Sequence, residues 1–130
     1  MADFRTDYAA STQALGMTGV ATLANGASGN SDALVNTTNK FLDYFVSVSV
    51  TTNSSAIATG LVEIWAKGSI DGTNYEDEGN DRWIGTITMS AAGVQTRRKL
   101  VSIAAGFNGP MPPYVILRLE NPTGGAFTAA

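Results

Sequence analysis

Apolar and polar positions alternate through most of this chain, with the period of β-strands. Over residues 40–50, Leu42, Tyr44, Val46, Val48 and Val50 fall on one face, and Asp43, Phe45, Ser47 and Ser49 on the other. That repeat of two predicts a half-buried strand. Residues 61–67 are β-branched and aromatic and predict another. Residues 82–89 predict a third, with Trp83, Ile87 and Met89 on one side and Thr86 and Thr88 on the other. In residues 95–103, Gln95, Arg97, Lys99, Val101 and Ile103 oppose Arg98, Leu100 and Ser102. Residues 114–120 predict a late strand with Val115, Leu117 and Leu119 facing inward.

Turn chemistry separates these runs. Ser69-Ile-Asp-Gly72 predicts a tight hairpin, because Gly accepts positive φ at little steric cost. Residues 25–30 form a turn cluster with a strand expected on each side, 76–81 an acidic loop, and 106–113 a Gly/Pro loop. A short tail carrying Phe127 follows residue 125. Seven or eight short strands with turns between them predict an all-β chain, a single antiparallel β-sandwich of jelly-roll-like form. Residues 17–130 form this sandwich domain. Residues 1–16 read as an N-terminal arm or a short helix. A lone helix of that length is marginal in water, which favours the arm.

Composition narrows the function classes. Only 15% of the 130 residues are charged, against roughly 25% in soluble domains. Such a low-charge surface suits a chain packed against neighbours. The net charge of −3 argues against non-specific nucleic-acid binding, which rests on clustered positive charge. There is no cysteine to staple the fold. No membrane span and no signal-peptide pattern is visible, so folding in the cytoplasm is expected.

Histidine is absent as well as cysteine, which removes the commonest general base, metal ligand and thiolate nucleophile. Asp71, Glu76, Asp77, Glu78 and Asp81 cluster, as a calcium site would require, but their spacing does not match an EF-hand loop. The competing reading is a solvated loop, and no metal, cofactor or catalytic site is expected. Arg97 and Arg98 point to opposite faces if their segment is a strand. They belong either to a subunit contact or to a solvated edge. Trp65 shares its face with Glu63 and Lys67, so it is a contact candidate as well as a core candidate. The interface candidates are Phe4, Tyr8 and Leu15 in the arm, with Trp65, Arg97, Arg98 and Phe127.

A series of turn motifs runs in order along residues 20–128. It comprises Leu23-Ala-Asn-Gly-Ala27, Ser31-Asp-Ala-Leu-Val-Asn-Thr-Thr38, Gly60-Leu-Val-Glu-Ile-Trp65, Gly68-Ser-Ile-Asp-Gly-Thr-Asn-Tyr75, Pro112-Pro-Tyr114 and Glu120-Asn-Pro-Thr-Gly-Gly-Ala126. This series resembles small virion structural proteins of tailed bacteriophages, similar to capsid decoration (cement) proteins. The resemblance implies a subunit on the outer capsid surface of the virion, made in the host cytoplasm. It would stabilise the shell by bridging major capsid protein subunits. It also implies self-association, a trimer favoured over a dimer, with no nucleic-acid or membrane partner and no enzymatic activity. The alternative is a tail or head-fibre module that binds a host receptor or glycan, with Trp65 or Tyr75 stacking on sugar.

Overall fold

The computed structural model describes residues 15–16, 24, 26–38, 40, 42–52, 60–89, 96–121 and 127–129. Among these residues there are eight strands and no α-helix. The strands are β1 (Ser28–Asn30), β2 (Leu34–Val35), β3 (Phe45–Thr52), β4 (Gly60–Ser69), β5 (Arg82–Met89), β6 (Thr96–Ser102), β7 (Tyr114–Glu120) and β8 (Phe127–Ala129), with a 3-10 turn at Ala104–Gly106. The chain is an all-β sandwich. One sheet runs β1-β7-β4-β5, with β2 beside β1 along the same edge of β7, and the other runs β6-β3-β8. Every pairing is antiparallel.

The two inner faces make the core. Val48 and Val50 of β3 and Val101 and Ile103 at the end of β6 meet Val62, Ile64 and Ala66 of β4 and Val115, Leu117 and Leu119 of β7, all buried. Ile87 and Met89 of β5, Leu34 and Met111 complete it. The alternation in β3, β6 and β7 therefore selects the inner face as expected, because a strand repeats every two residues.

The departures from the sequence expectation have local causes. Trp83 does not share a face with Ile87 and Met89. Ile64 pairs with Gly85 but Trp65 pairs with Trp83, so Ile84 is an extra residue, a β-bulge. One inserted residue reverses the facing of everything before it, and Trp83 is 54% exposed while Ile87 and Met89 are buried. Leu42 is exposed too, because β3 begins only at Phe45. Residues 42–44 instead anchor a loop, where Met111 N–H donates to the Leu42 carbonyl and Ile103 N–H to that of Tyr44. Asp43 joins this contact, accepting from Ala104 N–H at 2.7 Å and from the Ser102 hydroxyl. The turn cluster at 25–30 contains strand β1, which pairs with β7. The tail at Phe127 is strand β8, which pairs with Thr52 through Val50 of β3.

Candidate functional site

The motif at residues 68–75 builds a hydrogen-bonded loop rather than the tight hairpin expected from Ser69-Ile-Asp-Gly72. The return strand β5 begins only at Arg82. Between the strands, Ser69 and Asp71 organise the turn. Gly72 N–H donates to Ser69 Oγ at 3.0 Å, and the Ser69 hydroxyl donates to Asp71 Oδ1 at 2.9 Å. Thr73 N–H and Asn74 N–H each donate to Asp71 Oδ1 at 2.8 Å, and Asn74 Nδ2 donates to Asp71 Oδ2. The Asn74 amide first, then Thr73 and the Asn74 and Ser69 side chains, hold the Asp71 carboxyl well below the usual carboxylate range. Gly72 has φ +76°, and a Cβ there would lie 3.0 Å from the Tyr114 ring. Gly68 leaves room for Phe107 and Pro112. Gly68, Ser69, Asp71, Gly72 and Asn74 thus each have a turn or packing task. Ile70, between Ser69 and Asp71, projects into solvent at 85% exposure.

The rest of this loop returns over the outer face of the β1-β7-β4-β5 sheet. Beyond the start of β5, the backbone of Gly68 turns to Glu76. Glu76 N–H donates to the Gly68 carbonyl, and Gly68 N–H to Glu76 Oε1 at 3.0 Å. Asp81 Oδ2 pairs with Arg118 Nε at 2.5 Å, and the Glu120 carboxylate accepts from Arg118 Nη1. Arg118 lies opposite Trp65 in register, with its guanidinium 5.2 Å from the indole centroid, within cation–π range. Lys67, Ser69, Arg118 and Asp81 are all buried here, although they belong to an outer face. Burial works to lower the Arg118 pKa, but its hydrogen bonds and the charges of Asp81 and Glu120 raise it above the ordinary arginine value. Trp65 Nε1 and Tyr75 Oη are buried with no hydrogen-bond partner among the described residues. Burial raises the Tyr75 pKa. The acids therefore do not form a wholly solvated loop, since Asp81 is inside. Among the described residues no cluster of three or more potential ligands could hold a metal ion.

Among the described residues, the outer face of β3 and β6 is bare by comparison. Register places Phe45 opposite Ser102, Ser47 opposite Leu100, Ser49 opposite Arg98 and Thr51 opposite Thr96. Of these eight side chains only Arg98 is charged. Phe45 and Leu100 are 59% and 63% exposed. Between the strands, the Thr51 and Thr96 hydroxyls are hydrogen-bonded to each other.

The interface candidates fall in different places. Phe4 and Tyr8 lie outside the described residues. Leu15 is half-buried and packs against the core, and the neighbouring Gly16 carbonyl accepts from Asp32 N–H. Trp65 is half-buried beneath the Arg118 layer, not in the core between the sheets. Arg97 and Arg98 are exposed on β6 and lie opposite Val50 and Ser49, so they take opposite faces, as alternation required. The backbone of Phe127 pairs with Thr52. Only Arg98 lies beside Phe45 and Leu100. Alternation already sets those two opposite the inward-facing valines; they were missed as candidates because it does not show whether an outer face is covered by a loop or left open. No protein-family model matches the chain, and neither does any curated protein or solved structure.

Proposed function

We propose that this protein is a capsid decoration (cement) protein of a tailed bacteriophage, which binds the outer shell and bridges major capsid protein subunits. The observation that carries the reading is the outer face of β3 and β6, where Phe45 and Leu100 stand exposed and only Arg98 of the eight paired side chains is charged. Exposed apolar patches mark interaction sites, and the centres of protein interfaces are depleted in charge. The resemblance of the ordered turn motifs names the class of partner. In this reading the chain self-associates and acts mechanically, without catalysis. Binding to the assembled shell and not to free subunits stabilises the shell by mass action, and a multivalent subunit gains effective affinity.

The test is to add purified protein to shells that lack it and to count bound copies. Hundreds of copies per particle are expected, with Phe45→Ser/Leu100→Ser leaving the fold intact and removing binding. Saturation of shells by the double variant would refute the role of this face. A second reading, a tail or head-fibre module that binds a glycan, is favoured by Trp83, which is 54% exposed and opposite Trp65 in register. A handful of copies per particle would select it.

A further inference from the structure

The end of the sandwich at Tyr114 carries a projecting side chain and a depression side by side. Ile70, at 85% exposure, is the largest apolar projection among the described residues. It is held rigidly, because Ser69 and Asp71 on either side of it are tied into the turn. A shallow depression of about 370 Å³ has Leu42, Pro110, Met111 and Pro113 as its apolar lining and Asn36 and Lys40 at its polar side. Register fixes where the segments that bear them leave the sheet. Tyr114 lies opposite Ser69 on one side and opposite Val35 on the other. Ile70 follows Ser69 and Asn36 follows Val35, so the segments that carry projection and depression leave the same end of the sheet two strand spacings apart, roughly 10 Å.

We propose that this end is a contact between two copies of the chain, in which each copy seats Ile70 in the depression of the other. The pairing is apolar at its centre and complementary in charge at its edge, because Asp71 beside the projection meets Lys40 beside the depression. Both halves lie on one end, so a two-fold axis between them satisfies both at once, as an isologous contact requires. A preformed projection costs little ordering entropy on binding, which favours it as an anchor. The proposal rests on the self-association in the reading above and gives it a two-fold form, in place of the trimer that the resemblance favours. It does not depend on what the outer face of β3 and β6 binds.

The native chain has no cysteine, so the contact can be trapped cleanly. Ile70→Cys on one chain and Leu42→Cys on a second, mass-tagged chain are mixed without shells under mild oxidation, and the tagged heterodimer is followed by mass. Both positions are exposed, so the fold is retained and circular dichroism checks it. The heterodimer should form at least tenfold faster than with Ile70→Cys and Thr88→Cys, a control site exposed on β5. Adding Lys40→Glu should slow it several-fold at low salt. A rate equal to the control would overturn the proposal. So would a rate indifferent to Lys40→Glu. Loss of shell binding by the Phe45→Ser/Leu100→Ser protein leaves this rate unchanged, so the two readings fail separately.

Discussion

Asp81→Ala removes one half of the ion pair that pins the 70–81 loop to the sheet. The Arg118 and Asp81 side chains are 5% and 1% exposed, so neither has water to replace the lost partner. Breaking a buried pair by removing one partner costs about 3–5 kcal/mol, because it leaves an uncompensated buried charge. Glu120, whose side chain is 40% exposed, keeps one hydrogen bond to Arg118, which places the loss near the lower end, about 3 kcal/mol. At ~2 cal/mol/K of unfolding entropy per residue, a 130-residue chain loses roughly 11 °C of melting temperature. Urea and thermal unfolding followed by circular dichroism measure both quantities. Replacing both partners, Asp81→Leu with Arg118→Met, removes the buried charges together and should recover most of the loss, since apolar replacements of buried pairs are often neutral or stabilising. A single variant within about 1 kcal/mol of the parent, or a double variant as unstable as the single, would refute the assignment of this pair as the clasp of the loop.

Gly72→Ala forces a Cβ toward the Tyr114 ring at a backbone φ of +76°, and it should cost about 1–2 kcal/mol in the same unfolding assay. Tyr75→Phe removes a hydroxyl that is buried without a partner among the described residues, so stability should hold or rise by up to ~1 kcal/mol. Asp71 sets part of the acid limb of stability. The unfolded chain binds this proton near pH ~4, and the folded loop binds it only well below that. Between those points the unfolded state carries more protons, so stability falls as pH drops. Asp71→Asn should lower the melting temperature at neutral pH and flatten its decline in acid, and an unchanged slope would remove Asp71 from the account.

The sequence by itself determined the class of fold and most of the core. Val46, Val48 and Val50, Val101 and Ile103, and Val115, Leu117 and Leu119 keep a strict period of two, and a half-buried strand has one way to satisfy that period. Asp71-Gly72 likewise announced a turn, because few residues accept positive φ. Three features were decided only by the tertiary structure. A single bulged residue, Ile84, turned Trp83 outward, and no local pattern shows which residue a partner strand will skip. Arg118 and Asp81 became buried because a twelve-residue loop closed over the outer side of their sheet, which depends on a pairing 37 residues apart. Phe45 and Leu100 remained exposed because the matching face of the other sheet received no such cover among the described residues. Periodicity separates the two faces of a strand. Which face meets another sheet, a loop or a partner is a long-range contact, and it is settled only when the whole chain is packed.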